Sequence, residues 1–485
     1  MKGGATHMDI ITLLNGLLEK LFKIEETFYQ TPSDLYSVEQ LTADTFSKTS
    51  ADFLGMLLSE ADQTISKSQY RKNNYTIQRH DSRTLTTLVG DVVFNHTMYK
   101  KKEDKSTHFL LDEMLQLDCH ERFSEGAEVA LLTEAVKSSY SKAAKILPTE
   151  SEVSKTTVMN KVHQIAEEVP LEEKEILKKC EYLYIEADED HISEQGRTVT
   201  EDEDNKMLGK LAYLYESKKE IGKNKRELVN TFYQSGVYEG SEKNQQFWKR
   251  MEEYIEKTYD MDYLKTVYVI GDGAGWIKSA ENQVVYCKLC MDKYHVAKYI
   301  NSAANQMLDE KDIAKENIYK YIYGHKKKEL TEYFDEMLLS ANNQKPVEDA
   351  KNYLLNNWPA LMRTYHDKNL YGSSTEGHVS NVLSARMSSR PMAWSNTGAD
   401  RMCKLRCYVE NHGEEKLINL VRYSREKRNL KRTGTDEIPL QKEKIRMSIT
   451  EKYDKGKSYI ESIQATIPGY TARKQTSIRH HLNLI

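Results

Sequence analysis

The sequence predicts a multidomain protein of mixed α+β and α/β class, and three observations lead to this prediction. The chain has 485 residues, which is enough for about three domains of ordinary size. Only 22 residues are glycine and 8 are proline, a composition typical of globular chains rather than of disordered or fibrous ones. Strand-like apolar segments begin near residue 180, after an opening region of helical periodicity. These observations exclude a single small module.

The first predicted domain is an α+β module over residues 1–120. Residues 9–70 carry Leu, Ile and Phe at the spacing of two or three amphipathic helices. Residues 83–99 are rich in Thr and Val and surround the pair Gly90-Asp91, which predicts two strands joined by a turn. The pattern indicates no function for this module.

Residues 121–170 are predicted to form a helix-turn-helix that binds DNA. A helix over 124–138 is followed by a short segment at 141–147, which Pro148 ends, and by a second helix over 154–168. The side chains that the second helix would offer to DNA are Lys155, Asn160, Lys161 and His163. Three packed helices without any role in DNA binding explain the same pattern, so this alternative stays open.

A sheet-containing core is predicted from residue 180 onward. Apolar segments indicate strands at 181–187, 210–217, 226–234 and 266–270, with an amphipathic helix at 241–259 between the last two. Three consecutive strands, a helix and a returning strand are the order of the ribonuclease H-like fold. The core is expected to cover 180–300 and to resume at 366–400, on either side of an all-helical insertion at 301–365.

Two aspartates follow strands of this core and are candidate metal ligands. Asp188 comes after the first strand and Asp272 after the strand at 266–270. Two carboxylates that emerge at one sheet edge repel each other unless a divalent cation lies between them, and oxygen-only ligands suit Mg²⁺, for which Mn²⁺ can substitute. An Asp after a strand is also a common turn former, which is the alternative for each residue taken singly. Glu376, in the first turn of a later helix, is a third candidate that spacing alone does not select.

Basic residues are concentrated in a predicted helical C-terminal region, residues 401–485. The formal net charge of the whole chain is −4, but this region carries 19 Lys and Arg against 10 Asp and Glu. Arg425 and Arg428 lie in its densest basic run and are candidate contacts to DNA phosphates. An ordinary solvated helix surface is the alternative interpretation.

The cysteines favour a reducing, cytoplasmic location. Six cysteines are scattered along the chain, and no stretch approaches the roughly 18 apolar residues of a membrane span. Cys287 and Cys290, followed by His295, resemble half of a zinc site, with Cys403 and Cys407 as the nearest completion. Partly buried thiols at the end of a strand are the preferred interpretation, and no membrane partner is expected.

Four ordered motifs resemble those of a known family. They are Tyr184-Ile185-Glu186-Ala187-Asp188, Gly271-Asp272-Gly273-Ala274-Gly275-Trp276-Ile277-Lys278, Asp292-Lys293-Tyr294-His295-Val296-Ala297-Lys298-Tyr299-Ile300, and Glu376-Gly377-His378-Val379 running to Ser388-Ser389-Arg390-Pro391-Met392. Together they resemble the ISLre-type insertion-sequence transposases, a DDE family similar to the Mutator-like transposases. The resemblance extends over most of the chain, although its specific motifs lie between residues 182 and 395.

The resemblance implies a ribonuclease H-like catalytic core with a helical insertion between the second Asp and the Glu. By motif match, Asp188, Asp272 and Glu376 become the catalytic residues and the metal ligands. His295 becomes a candidate for positioning DNA or the scissile phosphate. Asp190 remains the alternative first carboxylate, because residues 186, 188 and 190 share one side of a strand.

The expected function is that of a DNA transposase of an insertion sequence. Such an enzyme uses Mg²⁺ or Mn²⁺ to cleave DNA at the element ends and to join those ends to target DNA, and a homodimer or higher oligomer is expected in the synaptic complex. Two alternatives remain. One is a ribonuclease H-like nuclease that cuts without joining, and the other is a catalytically silent DNA-binding protein derived from a transposase.

Overall fold

The computed structural model describes residues 10–31, 34–118, 120–196, 206–222, 225–372, 375–389 and 392–433. The chain divides into two compact units. Unit 1 comprises Met1–Ala135, Ser139–Val158 and Val421–Ile485, and unit 2 comprises Val136–Ser138 and Met159–Leu420. The region predicted as a helix-turn-helix therefore contributes residues to both units. Residues 434–485 of the predicted basic region lie outside the described residues.

Unit 1 opens with helices and a three-stranded sheet. Its elements up to residue 114 are α1 (Ile10–Gln30), α2 (Leu35–Lys67), α3 (Gln69–Asn74), β1 (Tyr75–Thr87), β2 (Gly90–Lys101), β3 (Thr107–His108) and α4 (Leu110–Met114). The strands are antiparallel in the order β1-β2-β3. The hairpin turn lies at Leu88 and Val89 rather than at Gly90-Asp91, because Gly90, with φ of 118°, already begins β2.

Helix α2 packs closely on this hairpin. Its N-cap is Asp34, whose side chain accepts a hydrogen bond of 3.1 Å from the backbone N–H of Ser37. A Cβ atom at Gly55 would lie 2.4 Å from the carbonyl oxygen of Val93. Only glycine therefore allows this approach, and it lets α2 cover buried Val92 and Phe94.

Three helices occupy the region from 121 to 170. They are α5 (Glu125–Lys137), α6 (Tyr140–Ala143) and α7 (Lys155–Ile165). Val162 and Ile165 are buried, as the apolar spacing of α7 requires. His163 departs from the expectation that it faces DNA. It is only partly exposed, and its ring packs against Gly398. A Cβ atom added at Gly398 would lie 3.3 Å from the Nε2 atom of His163.

Unit 2 contains a five-stranded mixed sheet and a separate hairpin. The strands are β4 (Tyr182–Ser193), β5 (Lys206–Tyr215), β6 (Ser217–Gly222), β7 (Lys225–Val229), β8 (Phe232–Val237), β9 (Thr266–Gly271) and β10 (Cys287–Met291). The sheet order is β10-β9-β4-β5-β8, and β6 pairs only with β7. Strand β5 is antiparallel to both of its neighbours, β4 and β8, whereas β9 pairs in parallel with both β4 and β10.

The predicted strand at 226–234 is in fact two strands. Asn230 adopts a φ of 53°, a left-handed conformation that interrupts an extended chain. The residues before it belong to the β6–β7 hairpin, and those after it begin β8 in the main sheet. The apolar pattern did not reveal this break, because one residue in a left-handed conformation does not change the pattern of apolar side chains.

Helices make up most of the chain around and after the main sheet. They are α8 (Ser241–Thr258), α9 (Gly275–Lys278), α10 (Lys293–Ala304), α11 (Lys311–Tyr323), α12 (Lys327–Ser340), α13 (Gln344–Asn356), α14 (Trp358–His366), α15 (Thr375–Val379), α16 (Ala385–Met387), α17 (Asn396–His412) and α18 (Leu417–Thr433), the last of which crosses into unit 1. A π-helical turn, Ser380–Ser384, joins α15 to α16. Residues 301–365, predicted as an all-helical insertion, contain α11 to α13 and all of α14 except its last residue.

The two faces of the sheet differ in chemistry. One face is aliphatic, and Leu183, Ile185 and Ala187 of β4 pack there into a core with Trp248 of α8. The opposite face is a layer of tyrosines, in which the ring of Tyr184 stacks at 5.4 Å on Tyr215 and at 5.5 Å on Tyr268. Strand alternation therefore sends even-numbered residues of β4, among them Asp188, to the tyrosine face.

Within the described part of the chain, no helix combines the length and the apolar character needed to cross a lipid bilayer.

Candidate active site

Asp188 and Asp272 lie just beyond the end of the parallel pairing between β4 and β9. The parallel pairing of β4 with β9 ends at Glu186 opposite Ile270, so each aspartate lies two residues beyond the last pair. The sequence suggested that the strand ends before Asp188, but in the structure Asp188 lies within it. Strand β4 continues to Ser193, because it goes on pairing with β5 after β9 has ended.

Glycines on either side of Asp272 shape its surroundings. A Cβ atom at Gly271 would lie 2.9 Å from the carbonyl oxygen of Ala187, so this glycine allows β9 to lie close to β4. Gly273 has a φ of 88°, which turns the chain directly after the strand. In that turn the backbone N–H of Ala274 donates a 2.8 Å hydrogen bond to Oδ1 of Asp272. The carboxylate orientation is therefore fixed by backbone geometry.

His295 on α10 faces Asp188. Its Nε2 atom lies 3.9 Å from Oδ2 of Asp188, and the two side chains are 23% and 18% exposed. The nearby carboxylate of Asp188 raises the pKa of His295, and the negative charges of Asp292 and Asp272 act in the same direction against a lowering by burial. The site therefore favours a positively charged imidazole.

Asp292 is the buried residue that sets the direction of α10. It follows β10 and is the N-cap of α10, where its side chain accepts a 2.8 Å hydrogen bond from the N–H of Tyr294. Its own N–H donates a 2.8 Å bond to the carbonyl of Gly271. Three parallel strands thus send Asp188, Asp272 and Asp292 toward one edge of the sheet, and α10 starts there with His295 in its first turn.

Asp190 has a different environment. The hydroxyl of Ser388 lies 3.0 Å and 2.8 Å from its two carboxylate oxygens. Asp188 instead accepts a 2.9 Å hydrogen bond from the N–H of Glu189 and faces His295. The two candidate first carboxylates are therefore distinguished by their partners.

Glu376 belongs to the short helix α15, and its side chain lies outside the described residues. The residue before it, Thr375, is buried and donates a 3.0 Å hydrogen bond to Oε2 of Glu186. Helix α15 therefore begins against strand β4, two positions along that strand from Asp188.

Of the three metal ligands expected from the sequence, the structure describes the side chains of Asp188 and Asp272 but not that of Glu376. Among the residues that the structure describes, no three His, Cys, Asp or Glu side chains form a group that could hold a metal ion. The zinc alternative has no support in this part of the chain. Burial raises the pKa values of the Cys287 and Cys290 thiols to about 12, and the five described cysteines are free.

The lysine and arginine side chains that were predicted to contact DNA differ in exposure. Lys155 on α7 is exposed, and Lys161 is partly exposed. The structure does not support the prediction that Arg425 contacts DNA phosphates. Its side chain is only 2% exposed and donates hydrogen bonds of 2.9 Å and 2.8 Å to Glu128. Arg428 is partly buried and lies 3.1 Å from Asp118. The basic run on α18 thus holds unit 1 together, at least through these two arginines.

Sequence reasoning missed several polar residues near the site. Glu189 accepts a 2.8 Å hydrogen bond from the indole N–H of Trp276, and burial raises its pKa. Asn357, between α13 and α14, is 7% exposed and would contact a Cβ at Gly273 at 3.1 Å. Glu186 is fully buried. Glu186 did give a signal in the sequence, namely a carboxylate inside an apolar strand.

The similarity of this chain to a solved transposase structure is limited. That structure is the Drosophila P element transposase strand transfer complex, with 11% identity and a TM-score of 0.19, covering 62% of this chain and 80% of that one.

Sequence comparison identifies relatives over most of the chain. A UPF0236 protein of Caldanaerobacter subterraneus subsp. tengcongensis is 32% identical over 437 residues, which cover 87% of this chain and 88% of the relative. A second UPF0236 protein of that organism, whose name joins eleven designations, is 34% identical over 365 residues, or 74% of each chain. A UPF0236 protein of Streptococcus gallolyticus is 25% identical over 392 residues, covering 77% of this chain and 82% of the relative. The model of the uncharacterised protein family UPF0236 matches residues 34–424, and the chain therefore belongs to this family.

Proposed function

We propose that the protein is a DNA transposase of an insertion sequence, which cleaves DNA at the element ends and joins those ends to target DNA. One observation carries this proposal. Asp188 and Asp272 emerge from adjacent parallel strands at one sheet edge, where His295 lies 3.9 Å from Asp188. Paired carboxylates can hold the metal ions that cleave a phosphodiester. A positively charged His295 beside them would attract the phosphate group.

The catalytic core in this proposal has a ribonuclease H-like fold. The order of strands and helices supports it, because three antiparallel strands, β4, β5 and β8, are followed by α8 and then by β9 and β10, both parallel to β4. The β6–β7 hairpin is an extension between the second and third of these strands. Helices α11 to α14 form the insertion that precedes Glu376.

Asp188 and Asp272 would hold Mg²⁺, with Glu376 as a third ligand. The donor set fits this ion, because both described carboxylates offer oxygen atoms and both are oriented by backbone N–H groups, those of Glu189 and Ala274. Bound Mg²⁺ would supply charge stabilisation for the attacking and leaving oxygens of an in-line displacement. Asp188 is the better first ligand, since Ser388 already donates to Asp190.

The residues of the chain itself would bind and orient the DNA. A protonated His295 would attract the scissile phosphate to the carboxylate edge. Exposed Lys155 and partly exposed Lys161 on α7 support a role for residues 121–170 in reading the element ends, with phosphate contacts that weaken as salt rises. Lys155→Ala with Lys161→Ala should therefore lower end affinity and reduce its salt dependence, and unchanged affinity would exclude this surface.

Mobility of the gene and a cytoplasmic site of action belong to the same proposal. The eleven designations joined in the name of one relative suit a gene that is present in many copies. The free state of the described cysteines suits a reducing compartment.

A homodimer is proposed for the synaptic complex, and the exposed apolar side chains of α1 support it. Ile11, Leu14 and Phe22 are 48%, 52% and 50% exposed along one helical stripe. Light scattering should give a dimer for the wild-type protein with its DNA and a monomer for Leu14→Glu with Phe22→Glu. A wild-type monomer would contradict this part of the proposal.

The test is incubation of the purified protein with labelled DNA that carries the ends of its own element, with Mg²⁺, with Mn²⁺ and with chelator. Metal-dependent nicks and joined products are expected. Cleavage without joined products would favour a nuclease, and binding that survives chelation without any cleavage would favour a silent DNA-binding protein.

A further inference from the structure

Glu186 is a carboxylate in the interior of the sheet. It lies on β4, two residues before Asp188, and its side chain is 0% exposed. A buried charge is costly unless other groups compensate it, and an apolar residue of similar size would fill the same space at lower cost. The contacts of Glu186 therefore indicate what it does.

Those contacts come from three separate elements. Nζ of Lys218 on β6 lies 2.8 Å from Oε1 of Glu186, and the hydroxyl of Tyr215 on β5 donates a 2.7 Å hydrogen bond to the same oxygen. The other oxygen, Oε2, accepts from the hydroxyls of Tyr213 and Thr375, the latter at 3.0 Å. Thr375 is the first residue of α15, so the network reaches the helix that carries Glu376.

Two further contacts hold the same helix. Lys218 also donates to the carbonyl of Gly372, in the segment that leads to α15. His378, on α15, forms a 2.9 Å hydrogen bond with the hydroxyl of Tyr233, and its ring lies 4.3 Å from the ring of Tyr213. Helix α15 has only five residues, and a helix of that length has little stability of its own. Its position therefore depends on these contacts.

We infer that Glu186 is a positioning residue that fixes the start of α15, and with it residue 376, against the strand that carries Asp188. The inference rests on the proposed function for its catalytic meaning, because Glu376 is the third ligand only in that proposal. The connection between Glu186 and the start of α15 follows from the observed contacts and does not depend on the proposed function. Glu186 joins β4, β6 and α15 through one carboxylate, so the spacing of the first and third acidic residues depends on it.

The test uses two substitutions of Thr375. Thr375→Val keeps the shape of the side chain and removes only the hydroxyl that donates to Glu186, whereas Thr375→Ser keeps the hydroxyl. Hydrogen exchange is measured on the full-length protein without metal. Amide protons of residues 379–384 should exchange at least tenfold faster in Thr375→Val and within twofold of wild type in Thr375→Ser. Amide protons of α17 should be unchanged in both.

Catalysis gives the second readout. Thr375→Val should lower kcat for DNA cleavage at least tenfold with little change in KM, and Thr375→Ser should restore it. Glu186→Gln, which keeps the size of the side chain and removes its charge, should show the same faster exchange if Thr375→Val does not fold.

The two proposals fail in different ways. Equal exchange of residues 379–384 in wild type, Thr375→Val and Glu186→Gln would overturn the positioning role of Glu186, whatever the enzyme does. Faster exchange in a protein whose wild type shows no metal-dependent cleavage would support the positioning role and refute the proposed function.

Discussion

The Nε2 atom of His295 lies 3.9 Å from Oδ2 of Asp188, so the first turn of α10 faces the carboxylate edge of the sheet. This relationship depends on Asp292, which both caps α10 and bonds to the carbonyl of Gly271. The position of His295 is therefore coupled to the loop of Asp272.

His295→Asn should lower the rate of DNA cleavage about a hundredfold, because it removes the cation that would face the scissile phosphate. Single-turnover cleavage of labelled DNA measures this rate. His191→Asn is a suitable control, since His191 is exposed on the same strand as Asp188. Equal cleavage by His295→Asn and wild type would exclude a role for this histidine.

Gly271→Ala should destabilise unit 2 by about 1–3 kcal/mol, because overpacking forces backbone shifts. The new Cβ would lie 2.9 Å from the backbone oxygen of Ala187, which cannot move without shifting β4. Urea unfolding measures the change. Gly275→Ala is the matched control, since among the described residues nothing lies within 4 Å of its Cβ position. Equal stabilities of the two variants would contradict the close approach of β9 to β4.

Arg425→Met should cost about 3–5 kcal/mol of stability, because it leaves the buried carboxylate of Glu128 without its cation. Arg422→Met on the same helix should cost less than about 1 kcal/mol, since Arg422 is 57% exposed where it pairs with Glu125. Thermal and urea unfolding compare the two. A stable Arg425→Met protein with weakened DNA binding would restore the interpretation that the sequence suggested.

His163 should make the protein less stable in mild acid. Burial lowers its pKa, and the charge of Arg401 adds to this effect. The unfolded chain therefore binds a proton more readily than the folded one, so the contribution of neutral His163 is complete above about pH 6.5 and declines as pH falls through the lowered pKa of the folded state. Unfolding free energies between pH 7 and 5 should fall more for wild type than for His163→Leu. The exposed His120→Leu variant should follow wild type, and parallel curves for all three proteins would refute the effect.

The sequence predicted the parts of the fold that local patterns encode. Apolar segments located β4, β5 and β9, and the position of each aspartate after such a segment predicted that Asp188 and Asp272 lie at one edge of the sheet. The break at Asn230 was missed, because a single left-handed residue leaves no trace in the hydrophobic pattern.

Long-range pairing explains the other differences. Arg425 pairs with Glu128, which lies 297 residues earlier in the chain, and no local pattern shows that a basic run will be buried against such a partner. The same holds for Glu186, whose partner Thr375 is 189 residues away. The end of β4 was placed too early because its continuation depends on pairing with β5 alone.

The central claim is that Asp188 and Asp272 carry metal-dependent cleavage of DNA. The most direct measurement compares cleavage of element-end DNA in Mg²⁺ by wild type, Asp272→Asn and Asp262→Asn. Asparagine at 272 keeps an oxygen that can accept from Ala274 and removes the charge, whereas Asp262 is an exposed residue before β9. Loss of at least about a thousandfold in rate for Asp272→Asn, with wild-type cleavage by Asp262→Asn, is the predicted result. Undiminished cleavage and joining by Asp272→Asn would contradict the claim.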